Sequence, residues 1–349
     1  MPRINVQLVA GGGAAVQGAA MVAGDEPAAV LAARDILAAG GAAADAAVTL
    51  GLTLAVTLPS QAGLGGGGAC LVHDAQKRAT EVVDFRAPAA ADDSGARFRA
   101  AVPATAHGLF ALHARYGALP WAQVVAPAET TARFGTRVSR AFAQDLSASG
   151  DALAGDRTAL TAFMTPRRQM VQAGDNLVQL NLAATLARIR ARGPGDFADL
   201  SAFVPRWTKA AETNAGVQSV FSLPEDVAGG AEAVEGQNGA TGFVIADGRG
   251  TVVACVLTMG RAFGLGIMPA QGGFLLAPAP DAPGASPPRL AASIAVNRVT
   301  AALLDAETRT RFVNKLACSP AENATPICAA TADVRGAGYA FTLNPRDQR

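Results

Sequence analysis

Histidine is nearly missing from this 349-residue chain, with only His73, His107 and His113 present. No two of them are spaced as ligands on one helix face, and the four cysteines form no CxxC pair, so a zinc site is excluded. Charged residues make up 16% of the sequence and aromatics 5%, the formal net charge is +1, and no Lys/Arg run or basic-aromatic stripe occurs. Nothing here has the electrostatic footprint of a nucleic-acid binder. No uninterrupted apolar run reaches the roughly 18 residues that a membrane-crossing helix needs. The opening "MPRINVQLVAGGGAAVQGAAMVAG" has too many glycines and glutamines for the apolar stretch of a secretion signal. No internal repeat is visible, and the Pro-rich piece from 278 to 288 reads as a loop.

What remains is a chain that is half apolar, dominated by Ala and Gly, and long enough to bury a large core. Asp25 is placed to cap a helix with Pro27 in its first turn, ending at Gly40-Gly41. A second helix is expected over Ala43 to Thr57, apolar nearly all round and therefore buried under a sheet. The run Gly65 to Gly68 then enters one strand, and "ATEVVDFRAP" supplies another, with a hairpin at Asp74 to Arg78. Because a strand follows that glycine run, where a phosphate site needs a helix, it is no P-loop; no cofactor is expected. Helical spacing recurs over Thr105 to Tyr116, Pro120 to Phe134 and Leu177 to Arg192. His107 and His113, six apart on one helix, read as surface or interface residues.

Further on, Gly242 to Ala246 and Thr251 to Leu257 are two strands around the turn Asp247-Gly248-Arg249-Gly250. Cys70 and Cys255 fall inside apolar strand patterns and read as small buried hydrophobes. Cys318 and Cys328 bracket the polar loop "CSPAENATPIC", a plausible local disulfide that favours an oxidising compartment. Closing so short a loop would contribute roughly 2 to 3 kcal/mol.

The stretch "MVAGDEPAAVLAARDILAAGGAAADAAVTLGLTLAVTLPSQAGLGGGG" resembles the N-terminal signature of γ-glutamyltransferases. The likeness continues through "VVDFRAPAAA", "VPATAHGLFALHARYGALPWAQVVAPA" and "GDNLVQLNLAATLARIRARGPGDF", then "SVFSLPEDVAGGAEA", "VVACVLTMGRAFGLGIM" and "GGFLLAP". Blocks in the same order cover most of residues 20 to 295. The resemblance implies an α+β, N-terminal-nucleophile hydrolase-like αββα sandwich, two antiparallel sheets between helical layers. One γ-glutamyltransferase-like domain is expected over 1–349: an extension over 1–19, a shortened large-subunit-like part over 20–230 and a trimmed small-subunit-like part over 240–349.

In active members of that family the chain cuts itself before a Thr, which then attacks a γ-glutamyl carbonyl. A second Thr stands eighteen positions later, and counting back from Thr258 and from "FGLG" puts Ala240 on the nucleophile position. Thr241 falls one place on. Shifting the register by one residue would make Thr241 the nucleophile but would turn Phe243 and Ile245 inside out, unless a bulge absorbed the slip. The substrate-holding positions are also altered. The family's acidic segment corresponds to "APAPDAP", with Ala279 and Ala282 where gripping side chains belong and Asp281 between them; its Ser pair corresponds to Ala291 and Ala292; its Asn after the second Thr is Gly260. Arg86, which in the family binds a substrate carboxylate, and Thr258 survive as weak ligand-binding candidates, Arg86 being equally readable as an ordinary ion-pair partner and Thr258 as a strand residue.

The reading is a catalytically inactive, uncleaved family member acting as a structural or accessory subunit of a larger protein assembly, periplasmic or otherwise extracytoplasmic. Its partners are expected to be other protein subunits, with peripheral association with a membrane complex possible and no membrane span of its own. Shortening of the helical stretch before residue 240 is expected to uncover apolar surface for such partners. Two alternatives stand beside it: a Thr241-dependent γ-glutamyl transferase or amidohydrolase, and an Arg86-based module for carboxylate ligands.

Overall fold

A computed structural model describes residues 20–90, 99–196, 203–229, 239–270, 272–282, 289–310, 313–319, 327–332 and 338–343, without the side chains of 196, 319, 327–329 and 341–343. Its centre is a seven-stranded antiparallel sheet. In spatial order its strands are β15 (Tyr339–Leu343), β1 (Ala20–Gly24), β9 (Ala240–Ala246), β10 (Thr251–Thr258), β2 (Gly67–Asp74), β3 (Ala79–Phe85) and β6 (Arg206–Lys209). A second, six-stranded sheet runs β14 (Ile327–Ala332), β13 (Val313–Ser319), β12 (Leu303–Arg309), β11 (Ala291–Asn297), β8 (Gln218–Ser222) and β7 (Ala211–Ala215). A small ribbon pairs β4 (Thr136–Arg137) with β5 (Asn176–Leu177). The helices are α1 (Pro27–Ala38), α2 (Ala43–Thr57), α3 (Thr105–Tyr116), α4 (Trp121–Phe134), α5 (Arg140–Ser149), α6 (Arg157–Ala162), α7 (Leu180–Arg192) and the single turn α8 (Glu225–Ala228).

Alternation along β9 sorts the core into two layers. Phe243 and Ile245 join a cluster with α1, α2 and α4, whereas Ala240, Val244 and Ala246 join Ile294, Val296, Ala306 and Leu316 between the sheets. Every residue of α2 is buried, because this Ala/Leu/Val helix is roofed by α1, α3 and α4 and floored by the sheet. Its polar first turn is satisfied internally. Asp45 accepts hydrogen bonds from the amides of Ala42, Ala118 and Leu119 at 2.9–3.1 Å, holding the start of α2 to the end of α3.

Three sequence expectations are corrected. Asp25 does not cap α1; Glu26 takes the N-cap position without a side-chain bond, and Asp25 turns inward instead. Cys70 and Cys255 are not lone hydrophobes, for β2 and β10 pair in a register that sets them opposite each other and they form a disulfide with Cα atoms 4.1 Å apart. Their 185-residue separation hides this from any local pattern. His113 is not a surface residue either: its ring lies against Leu119 O at 2.8 Å, 3.5 Å from the Asp45 carboxylate.

The outward face of the six-stranded sheet is polar: Ser293, Glu307 and Lys315 stand in one cross-strand row beside Asp305, which Lys315 meets at 2.6 Å. The expected uncovering of apolar sheet surface is therefore not found among the described residues of this face. Cys318 stands opposite Cys328 in the β13–β14 register and is disulfide-bonded; the Cys328 side chain lies outside those described.

Candidate functional site

The site forms where β9 begins. The turn after β9 fixes its register: Asp247 accepts from the amides of Arg249 and Thr251 with one oxygen and from Ala43 with the other, all at 2.9 Å. With that end pinned, Ala240 falls opposite Thr258, and Thr258 falls opposite Gly67 on its other side. A Cβ on Gly66 would run into the Thr258 carbonyl, so the glycine run lets the loop before β2 press against this strand end.

Ala240 is 3% exposed, and its methyl lies in the layer between the sheets. Its amide donates to Gln61 Oε1 at 2.9 Å; Gln61 Nε2 in turn donates to Asp145 Oδ2 at 2.7 Å, and Ser60 Oγ donates to the same oxygen at 2.6 Å. The preceding Gly239 carbonyl accepts twice, from Met259 N–H and from Thr258 Oγ1, both at 2.7 Å. Thr258 Oγ1 itself accepts from Gly260 N at 2.8 Å. A Cβ on Gly239 would collide with the Arg261 backbone, which keeps this segment close-packed.

Thr241 points the other way. Its hydroxyl is wholly buried and donates to Asp25 Oδ2 at 2.6 Å, while Asn314 Nδ2 bridges Asp25 Oδ1 and Gly242 O. The two adjacent positions that the sequence offers for a nucleophile thus sit on opposite faces of β9, as the pleat requires.

Arg86 and Thr258 line one cavity of about 330 Å³, together with Gly260, Val227, Leu290 and the prolines 278 and 280. The described lining contains no carboxylate, and Thr258 brings its one hydroxyl. Arg86 is half-exposed and forms a two-point ion pair with Asp84, Nε to Oδ1 at 3.0 Å and Nη2 to Oδ2 at 2.9 Å. Burial pushes the Asp84 carboxyl up, but the bonds from Arg86 and Arg206 outweigh it and hold the group below the usual carboxylate range. Ala279 is buried and its amide bonds Arg99 O; Ala282 closes a turn onto Ala279 O; Asp281 faces solvent, paired with Arg99 at 2.8 Å. No acidic group from that segment enters the cavity.

Ala291 and Ala292 line a neighbouring cavity of about 420 Å³, separated from the first by Ala228 and Leu290, which bound both. Its charged groups are already paired, Arg289 with Glu225 at 2.6 Å and Arg309 with Glu307 at 2.7 Å. The sequence does not single out Gln61 or Asp145, and it offers Asp25 only as a helix cap. The signal was there for Gln61: a polar Ser-Gln pair set between a mostly apolar helix and a glycine run.

Comparison with known proteins follows the same N-terminal emphasis. Residues 29–200 match the family described as Gamma-glutamyltranspeptidase. The glutathione hydrolase proenzyme of Escherichia coli (strain K12) is 37% identical over 180 residues, 47% of this chain and 31% of that protein. The glutathione hydrolase proenzyme of Pseudomonas aeruginosa is 36% identical over 204 residues, 53% of this chain and 35% of that protein. The matched part thus spans about a third of these relatives' length. Among solved structures, the cephalosporin acylase from Bacillus halodurans superposes with a TM-score of 0.73 at 15% identity, covering 98% of both chains. The gamma-glutamyltranspeptidase of Helicobacter pylori gives 0.54 at 23% identity, covering 64% of this chain and 72% of that one. These likenesses establish the N-terminal-nucleophile hydrolase sandwich as the fold.

Proposed function

We propose that this chain, whose residues 29–200 match the family described as Gamma-glutamyltranspeptidase, is a catalytically inactive member of that family that stays in one piece and serves as a structural or accessory subunit. One observation carries the reading: at the head of β9, opposite Thr258, the side chain is the methyl of Ala240. A methyl can neither attack the Gly239 carbonyl nor, after cleavage, a substrate. The substrate side is equally bare, with Gly260 in the cavity wall, Ala279 and Ala282 turned into backbone bonds, and Ala291 and Ala292 lining a separate cavity. Incubation of the full chain with glutathione should release no glutamate above a buffer blank. Release that is lost in Thr241→Ala would overturn the inactive reading in favour of a Thr241-dependent amidohydrolase. Against that alternative stands the bond of the buried Thr241 hydroxyl to Asp25, on the face away from the cavity.

The accessory role is supported by a cluster on the helical side. Phe134 at the end of α4 is 72% exposed, and Leu180 at the start of α7 is 62% exposed, with Val178 beside it. The backbone bond from Gln179 N to Ala132 O holds the two segments together. Exposed apolar groups gathered in this way suit a protein partner. Native mass spectrometry after pull-down of the tagged chain should find a stoichiometric protein partner, and Phe134→Ser with Leu180→Ser should release it. The cysteine pairs suit an extracytoplasmic setting, where disulfides persist.

A second reading rests on the shared cavity of Arg86 and Thr258: a module that binds a carboxylate ligand without turning it over. A thermal-shift series with glutamate and γ-glutamyl peptides tests it, with Arg86→Ala as the control that must abolish any shift.

A further inference from the structure

The end of the sandwich opposite the cavities carries four turns that touch in sequence. The β9–β10 turn packs on the β2–β3 hairpin, where Gly250 faces Ala75. That hairpin reaches the β11–β12 turn through Arg78 Nη2, which donates to Val299 O at 3.0 Å. The β11–β12 turn in turn meets the β7–β8 turn through Arg298 N, which donates to Val217 O at 2.8 Å. At the apices of the last two turns, Val299 is 70% exposed and Val217 is 66% exposed. Beside them stand Arg78 and Arg298, and the neighbouring β9–β10 turn adds Arg249; the described partners of these three exposed guanidiniums are backbone carbonyls alone. The acids of these turns are engaged elsewhere. Asp74 is paired with Lys77 and with turn amides, and Asp247 accepts three backbone N–H groups.

We infer that this end is a docking surface for an anionic lipid bilayer, with the two valines entering the headgroup boundary and the three arginines facing lipid phosphates. Uncompensated cations alone would suit any polyanion. The exposed aliphatic apices decide for a bilayer, because an apolar side chain gains by entering an acyl boundary and gains nothing on a sugar-phosphate chain. The geometry also fits a rigid anchor. Asn297 Oδ1 holds the amides of Val299 and Thr300 at 2.9 and 3.1 Å, so the Val299 apex is preformed.

Cosedimentation of the full chain with phosphatidylcholine vesicles, with and without phosphatidylglycerol, tests the inference. The chain should pellet with the anionic vesicles only and be released by high salt. Each arginine near such a surface should contribute about fivefold in partition, so R78E with R298E should lower binding by about 25-fold or more. V217S with V299S should weaken it by about tenfold. Arg167→Glu, which removes the same charge on the helical side, should change nothing. Four results would overturn the inference: no pelleting, equal pelleting with both vesicle types, binding indifferent to R298E, or capture on heparin as strong as on vesicles and unchanged by V217S with V299S. The last result would mark a general polyanion site.

Discussion

The polar groups of the helical layer and those of the two cavities have fared differently. In the first, buried side chains that join segments are partnered at several points: Asp45 closes α2 onto α3, Gln61 and Ser60 meet Asp145, and Thr49 bonds Val124 O at 2.7 Å. In the second, the positions that the proposed reading pairs with substrate contacts hold Gly260, Ala279, Ala282, Ala291 and Ala292, and the charges nearby are paired with each other. On the proposed reading, groups whose loss would destabilise the fold are present, and groups whose loss would only stop chemistry are absent. This is the pattern expected where stability is still required and turnover is not.

The sharpest way to break the contrast is to return one chemical group to the cavity side. Gly239 O already accepts from Met259 N–H and Thr258 O–H, an arrangement that would stabilise charge on that oxygen. In A240T the new hydroxyl can add to the Gly239 carbonyl, the C–N bond breaks to leave an ester and a free amine, and water then hydrolyses the ester. The variant should therefore cut itself, seen as two bands on a reducing gel. Without reductant the pieces stay joined through Cys70 and Cys255, which lie on either side of the cut. Transfer of a γ-glutamyl group should still be undetectable, since the loss of even one oxyanion donor costs about 100-fold or more. Robust transfer from A240T alone would show that the alanines are assigned to the wrong positions.

On the structural side, D45A leaves the amides of Ala42, Ala118 and Leu119 without their buried acceptor. Urea unfolding should show a loss of about 3 kcal/mol. Glu26 gives a smaller effect of the opposite sign. Burial, offset in part by the nearby Ser139 hydroxyl and Ala28 amide and reinforced by the neighbouring Asp25 charge, pushes its carboxyl up to about 8 from 4.5. A carboxyl whose folded value is raised favours the folded state below the unfolded value, and that contribution is lost as pH rises through 8. E26Q should match the parent near pH 4 and become more stable by on the order of 2 kcal/mol toward pH 8. Thermal melts at both ends of that range would show it; a gap that shrank with pH would contradict the burial of a neutral carboxyl. The smallest effect belongs to A291S with A292S at the second cavity, where stability should move by no more than about 0.5 kcal/mol and turnover should stay absent.

Local pattern was enough for much of this. The bounds of α2 and α3, the β9–β10 turn and the two strands around it follow from periodicity, glycines and a single Asp-Gly turn, all of which act within a few residues. The sheet register sets Ala240 and Thr258 opposite each other, and the assignment of Ala240 to the nucleophile position rests on the family resemblance. What the sequence hid depends on pairing between distant segments. Asp25 looks like a cap until Thr241 and Asn314 arrive from 216 and 289 residues away. The Cys70–Cys255 bond requires β10 to lie beside β2, and Gln61 gains its role only when Ala240 meets it. The outer face of the six-stranded sheet is polar because strand alternation puts its Lys, Asp and Glu outward.

The central claim is that position 240 lacks the group that would cut the chain, and the mass of the untreated full-length protein tests it most directly. After full reduction, one species at the mass of the whole polypeptide is predicted. Without reduction the mass should differ only by the hydrogens lost to disulfides, with no added water. Two fragments meeting at Gly239-Ala240 or at Ala240-Thr241 after reduction, together with one water gained before it, would contradict the account and make the chain a self-processing enzyme.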